Sequence, residues 1–104
     1  MTRKRETISA DDLAWAAQRL KAVAHPVRLA ILEAVEEKPR RVSDIVERVG
    51  QPQAAVSQHL AVLRTRGVLK STRHGQEVYY EPEQPSITGV LDCIRRSLCR
   101  RGSS

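Results

Sequence analysis

The chain of 104 residues has no phenylalanine, only one tryptophan and only two tyrosines. A core without phenylalanine has to be built from leucine, valine, isoleucine and alanine, which favours closely packed helices. The chain also lacks any run near the ~18 apolar residues of a membrane span, and no apolar stretch follows its basic start, as a secretory signal would require. We therefore expect one small cytoplasmic domain without a membrane partner. Its two cysteines are then thiols rather than a disulfide.

Groupings typical of enzyme active sites are also missing. No nucleophile, base and orienting group stand close together, and no glycine-rich loop is present to cradle a phosphate. Ser57 and His59 are two residues apart on a predicted helix, so they do not face each other. We predict that the chain is not an enzyme, and no resident cofactor is assigned to it.

Acidic residues are absent from one long segment. From residue 48 to residue 76 there is neither Asp nor Glu, although the whole chain has 12 of them against 18 Lys and Arg. The segment supplies +5 of the net charge of +6 through its basic residues, which are Arg48, Arg64, Arg66, Lys70 and Arg73. Exclusion of carboxylates is typical of a surface that meets a polyanion. The alternative interpretation is a solvated charged face.

The chain is predicted to consist of a disordered basic arm at 1–8, a single domain at 9–99 and a flexible tail at 100–104. Helical periodicity begins after Ser9, which is suited to cap a first helix with Asp11 and Asp12 in its opening turn. Trp15 lies nearly opposite the apolar stripe of that helix. We expect a partner surface to cover this indole, the alternative being a partly exposed ring that packs on its own helix.

Three further helices follow at short intervals. Pro26 suits the first position of a second helix, and Ser43 is expected to cap a third helix from Asp44 to Val49. Gly50 stops the third helix, and a fourth runs from Gln53 to about Arg66. The buried seam predicted for the fourth helix is Val56, Leu60 and Leu63.

Two helices joined by a short glycine-containing turn match the helix-turn-helix pattern, in which the second helix reads DNA. Opposite its seam, the fourth helix presents short, amide or basic side chains, namely Gln53, Ala54, Ser57, Gln58 and Arg64. Such side chains suit base edges, where a carboxylate would be repelled by phosphates. A helical domain that binds a protein instead is the alternative, and steep salt dependence would distinguish DNA binding from it.

After Gly67 the periodicity changes from helical to alternating. Residues 68–73 and 77–81 are β-prone and flank the sequence His74-Gly75-Gln76, which predicts a hairpin with Arg73 and His74 at its tip. A basic hairpin directly after a recognition helix is typical of a wing that reaches the DNA backbone. A last helix then follows Pro82 and Pro85, with an apolar stripe at Ile87, Leu91, Ile94 and Leu98.

Four segments together resemble the ArsR/SmtB family of winged-helix repressors, and they are Leu20–Leu32, Val56–Arg64, Gly67–Leu69 and Arg73–Tyr80. The resemblance implies a mainly α winged helix-turn-helix fold with four helices, a β-hairpin wing and a fifth helix. It also implies a homodimer formed through the first and last helices, which represses transcription from an imperfect palindromic operator. The two recognition helices would enter major grooves ~34 Å apart.

The resemblance also implies roles for particular residues. Base-facing positions fall on Gln53, Ala54, Ser57 and Gln58, and His59 is expected to be structural or to face a phosphate. The residues expected to hold the DNA backbone are Arg64, Arg66, Lys70, Arg73 and His74. The implied dimer interface contains Trp15, Ile87, Leu91, Ile94 and Leu98.

Members of the family usually sense a ligand, but the familiar metal sites are missing from this sequence. Residues 41–45 contain no cysteine for a metalloid site, and the last helix has Asp92 but no histidine. Cys93 and Cys99 remain as candidates for an arsenite-like ligand, an oxidant or a sulfur species. On one helix they point ~120° apart and lie ~9 Å apart along the axis, which excludes an intrahelical disulfide. They could approach their counterparts across a dimer.

The sequence allows two interpretations of these thiols. In the first, they sense a thiophilic signal, with As(III) as a possible ligand. In the second, the cysteines are incidental and the chain is a regulator without metal or thiol sensing.

Overall fold

In a computed structural model, which describes residues 6–100 and the side chains of residues 6–99, the chain forms five α-helices, a three-stranded sheet and a short 3-10 helix. The elements are α1 (Ala10–Val23), α2 (Pro26–Ala34), β1 (Arg40–Arg41), α3 (Val42–Val49), α4 (Gln53–Thr65), β2 (Leu69–His74), β3 (Glu77–Pro82), the 3-10 helix (Pro85–Thr88) and α5 (Gly89–Arg100). The predicted mainly α fold with a hairpin wing is confirmed.

Most of the predicted arm and tail lies outside the described residues, since residues 1–5 and 101–104 are not among them. Residues 6–9 are exposed and belong to no helix or strand. Arg100, the first residue of the predicted tail, is the last residue of α5.

The predicted starts of α1 and α2 are confirmed. Ser9 caps α1, since its Oγ accepts a hydrogen bond from the Asp12 backbone N–H at 3.1 Å. Pro26 opens α2, and the preceding His25 acts as the N-cap with its Nδ1 accepting from the Val27 N–H at 3.1 Å. Both caps satisfy backbone donors that have no partner within the helix.

The predicted cap of α3 is wrong. The helix begins at Val42, its N-cap is Arg41, and Ser43 is already helical. The physical reason is strand pairing: Arg41 is held extended by its pairing with Tyr79 of β3, so the chain enters the helix two residues earlier than a Ser43 cap would require. The short strand β1 has no periodicity to predict it from.

The sheet has the order β1-β3-β2, and both pairings are antiparallel. In the hairpin, Leu69 pairs with Pro82 and His74 pairs with Glu77, which leaves a two-residue turn. His74 is therefore the last residue of β2. The sequence had suggested that it belongs to the segment between the strands, and this is wrong. Gly75 fills the first turn position with a φ of +66°, which favours glycine.

The core is built from small and branched aliphatic side chains, as the composition predicts. Its fully buried members include Ile31, Leu32, Ile45, Val68 and Leu69, together with the predicted seam of α4. Each of the three seam residues is at most 1% exposed. Leu91 of α5 also belongs to this core with 6% exposure, so little of its side chain is accessible to the predicted dimer interface.

Helix α1 leaves much of its apolar surface uncovered. Leu13 and Leu20 are about half exposed and Trp15 is 45% exposed, whereas only Ala22 and Val23 of this helix reach the core. The Arg19 guanidinium lies over the indole, 4.0 Å from the ring centre, and its Nη1 donates to the Trp15 carbonyl at 3.0 Å. The described residues leave about half of the Leu13 and Leu20 side chains uncovered.

Gly67 joins α4 to β2 at a tightly packed place. Its φ is +79°, and a Cβ there would lie 2.7 Å from Nη2 of Arg19. Gly75 has a similar φ, but no atom lies within 4 Å of a Cβ built on it. Left-handed backbone costs an L residue about 1–2 kcal/mol at either position, and at Gly67 the guanidinium end of Arg19 would also have to move aside.

We predict that Gly67→Ala lowers the free energy of unfolding by more than Gly75→Ala does, measured by urea denaturation at one protein concentration. Because Trp15 is the only tryptophan, displacement of Arg19 should also change its fluorescence in the Gly67 variant alone. Equal losses of stability and equal spectra in the two variants would contradict the proposed contact.

Candidate nucleic-acid interface

The exposed face of α4 contains the four residues predicted to face bases. Gln53, Ala54, Ser57 and Gln58 are all exposed and share one side of the N-terminal half of the helix. Pro52 precedes the helix without a side-chain cap, and the first turn has no carboxylate. The first turn of α4 therefore places no negative charge at the positive end of the helix dipole.

The wing distributes its basic residues over both of its faces. Because side chains alternate along a strand, Lys70 and His74 of β2 point to one side and Arg73 points to the other. All three are exposed. The Arg73 Nε donates to the Gly75 carbonyl at 3.1 Å, and the His74 ring packs edge-on against Tyr79 with 5.4 Å between ring centres. The predicted backbone-holding residues thus do not form a single patch.

Two further predicted contacts lie where α4 ends. Arg64 donates from Nη1 to the Ser71 hydroxyl at 3.2 Å, which links α4 to β2. Arg66 is the C-cap residue of α4 and is exposed. The Arg64 guanidinium therefore lies between α4 and the wing, and Arg66 stands where α4 ends.

His59 does not lie on the exposed face with Gln58. It is half-buried, and its Nδ1 accepts a hydrogen bond from the Arg28 Nε–H at 3.0 Å. Its ring centre is 4.7 Å from that of His25. Partial burial lowers the pKa of His59, and the nearby His25 and Arg28 lower it further. Of its two expected roles, the contacts favour the structural one.

The two cysteines lie on α5, which is one unbroken helix. Both are exposed free thiols, and both border an open surface depression of about 550 Å³ together with Arg95, Arg96 and Ser97. Within the described residues, no three His, Cys, Asp or Glu side chains are grouped so that they could hold a metal ion.

An ion-pair network around Arg95 was not predicted from the sequence. Its two terminal nitrogens donate to the Glu36 carboxylate at 2.7 and 3.1 Å, and one of them also to Asp92 at 2.9 Å. Glu33 lies 3.5 Å away. These hydrogen bonds raise the pKa of Arg95. They tie α5 to the turn after α2, and the Glu33 ion pair reaches α2 itself. No local spacing predicts the contact with Glu36, because Arg95 is 59 residues further along the chain.

We predict that Arg95→Gln accelerates amide hydrogen exchange in α5, while the unfolding midpoint changes little because exposed ion pairs contribute weakly to global stability. Arg96→Gln is the matched control, since Arg96 is adjacent and exposed but outside the network. Identical exchange in the two variants would mean that the network does not hold α5.

Sequence comparison places these features in a known family. A family model described as "Bacterial regulatory protein, arsR family" matches residues 25–71, from the N-cap of α2 into β2. The transcriptional repressor PagR of Bacillus anthracis is 39% identical over 79 residues, which is 75% of this chain and 79% of PagR. The repressor SmtB of Mycobacterium tuberculosis is 43% identical over 80 residues, which covers 76% of this chain but only 59% of SmtB.

Solved structures agree with the sequence matches. HlyU from Vibrio cholerae superposes with a TM-score of 0.77 at 30% identity, covering 88% of this chain and 99% of HlyU. The crystal structure of PagR gives a TM-score of 0.75 at 37% identity, covering 83% of this chain and 99% of PagR. In the part of the chain that the structure describes, no helix has the length and apolar character needed to cross a bilayer.

The similar proteins named as repressors and regulators are DNA-binding transcription factors, which confirms that the chain is not an enzyme. The predicted resemblance is confirmed as well. The chain belongs to the arsR family of bacterial regulatory proteins and is a transcriptional repressor with a winged helix-turn-helix fold.

Proposed function

We propose that the chain binds operator DNA as a homodimer, with α4 in the major groove and the β2–β3 hairpin against the neighbouring backbone. The observation that carries this proposal is the exposed face of α4, which combines amide, hydroxyl and methyl groups within the segment 48–76 that has no carboxylate. Steric and electrostatic access to a polyanion is therefore open along the whole of this face.

The chemistry of the α4 side chains fits direct readout of bases. The amides of Gln53 and Gln58 each offer a donor and an acceptor, the pair that adenine presents in the major groove. Ser57 can donate to or accept from a base or a phosphate, and the Ala54 methyl suits contact with a thymine methyl. These four residues are the proposed sequence-reading set.

The basic residues beyond the α4 face are proposed to hold the DNA backbone, and they are Arg64, Arg66, Lys70, Arg73 and His74. Because Lys70 and Arg73 point to opposite faces of the hairpin, they would reach phosphates on opposite sides of the wing. Contacts of this kind set affinity and register without reading sequence.

A second copy of the chain is the proposed cover for the exposed apolar surface. Trp15 of α1 and Leu98 of α5 are both about half exposed, and Ile87 and Ile94 are partly exposed. These four residues form the interface that we propose, and Leu91 is omitted because it packs in the core of its own protomer. Dimerisation would place two α4 helices on successive major grooves of a palindrome, ~34 Å apart.

We predict that Gln58→Ala lowers affinity for a selected operator about 5- to 150-fold, the equivalent of about 1–3 kcal/mol for one bidentate base contact. Affinity for random DNA should stay unchanged, because phosphate contacts are retained. Fluorescence anisotropy on DNA obtained by in vitro selection measures both values. Gln84→Ala is the matched control, since Gln84 is an exposed glutamine outside the acid-free segment.

If Gln58→Ala lowers the affinity for the operator and for random DNA equally, Gln58 does not read the base sequence. The same titrations at several salt concentrations test the function itself, because DNA binding through several basic residues weakens steeply with salt. Absence of binding to any DNA at low salt would favour a winged helix that docks on a protein.

The proposed signal input is the pair of thiols on α5. Both are exposed and border the same surface depression, and α5 is part of the proposed dimer interface. A trigonal As(III) site needs three thiolates, so a second protomer would have to contribute one. A coupling free energy of about 1–3 kcal/mol between two binding sites is typical of allosteric regulators. A value of this size between ligand binding at α5 and DNA binding at α4 is enough for derepression.

We predict that arsenite or a mild oxidant releases the reduced dimer from operator DNA, and that Cys93→Ser or Cys99→Ser abolishes the release. Anisotropy with and without each reagent measures this. Ser97→Ala is the control, because Ser97 borders the same depression but has no thiol. Tight binding that neither reagent changes would leave the cysteines incidental and the repressor without thiol sensing.

A further inference from the structure

Two histidines and an arginine form a cluster between the start of α2 and the middle of α4. His25 precedes α2, Arg28 belongs to its first turn, and His59 projects from α4. Arg28 contacts both neighbours of α2, since its Nε donates to His59 at 3.0 Å and its Nη1 donates to the Ala22 carbonyl of α1 at 3.1 Å. One guanidinium therefore joins α1, α2 and α4.

The hydrogen-bond partners fix the protonation of both rings. A guanidinium N–H and a backbone N–H are donors only, so the atoms that receive them must carry a lone pair. Nδ1 of His59 receives the Arg28 Nε–H, and Nδ1 of His25 receives the Val27 N–H. Nδ1 is therefore an acceptor in both rings, and His59 is neutral in this arrangement with its proton on Nε2.

Protonation at Nδ1 is incompatible with these contacts. It would place an N–H against the Arg28 N–H or remove the acceptor that caps α2. The charged or titratable groups that face His59 are Arg28 from α2 and His25 from the α1–α2 connection, and both carry positive charge when protonated. Among the described residues, no carboxylate lies within the 4.0 Å ion-pair distance of either ring.

We propose that this cluster is an acid-sensitive latch between α2 and α4. It is closed while Nδ1 of His59 is unprotonated and accepts from Arg28, and it opens when His59 takes up a proton from the solvent. The latch acts on α4 directly, so acidification would be a signal independent of the thiols on α5. The proposal concerns the packing of the helices and does not depend on DNA binding.

The sign of the expected pH dependence follows from the lowered pKa of His59. Below the ordinary histidine value of about 6.5, the unfolded chain binds the proton more readily than the folded chain does. The stability that the latch contributes is therefore complete above pH ~6.5 and is lost as the pH falls below that value.

We predict that the urea midpoint of the wild-type chain falls more between pH 7.5 and pH 5.5 than that of His59→Gln. The glutamine oxygen can still accept from Arg28 but cannot become charged. His74→Gln is the matched control, because His74 is the remaining histidine and lies at the wing tip. It should keep the full acid sensitivity of the wild type. Equal pH dependence in wild type and His59→Gln would overturn the latch.

A second measurement uses the unmodified protein and guards against a variant that fails to fold. Nitrogen NMR of the imidazole rings should show His59 with a bare Nδ1 at pH 7.5. The protection factors of the amides in α4, which correct for the slower intrinsic exchange at lower pH, should then fall as the His59 ring becomes protonated. A proton on Nδ1 of His59 at neutral pH, or exchange that does not respond to its protonation, would show that no latch exists.

Discussion

Burial of one side of α4 is the constraint on which the rest of this structure depends. Val56, Leu60 and Leu63 are at most 1% exposed, and burying a leucine or valine side chain contributes about 1.5–3 kcal/mol. No exposed amide or hydroxyl gains a comparable amount from its position. The rotation of α4 is therefore set by its apolar side, and the face with Gln53 and Gln58 is exposed as a consequence. Stability and proposed recognition are two results of the same packing.

Once its rotation is set, α4 is oriented by contacts at different points along its length. Arg28 holds His59 near its middle, and Arg64 reaches Ser71 of β2 near its end. The left-handed turn at Gly67 then determines the direction in which the wing leaves the helix. Because β1 pairs with β3, the entry to α3 is attached to the same wing. The spatial relation between helix face and hairpin thus depends on contacts from both sides.

Features encoded by local periodicity were the ones that the sequence predicted well. Residues close together in the sequence determine the seam of α4, the Ser9 cap and the hairpin. Other features join residues far apart in the sequence, and such pairings leave no repeating pattern. They are the two-residue strand β1, the Arg28–His59 contact and the Arg95 network. The stripe on α5 shows a related limit. Periodicity identified its apolar residues but not that Leu91 packs in its own core while Leu98 stays exposed.

The attachment of α5 bears on how a signal at its cysteines would act. Leu91 anchors the start of the helix in the core, and Arg95 attaches its middle to α2 through exposed carboxylates. Cys93 and Cys99 lie on either side of Arg95 in sequence. Because both thiols border the same depression as Arg95, a ligand on them would act beside the ion pairs and not at the apolar anchor. Since exposed ion pairs contribute weakly to stability, losing them would cost the domain less than losing the Leu91 anchor, so the proposed signal would act on the attachment of α5 that is least costly to disturb.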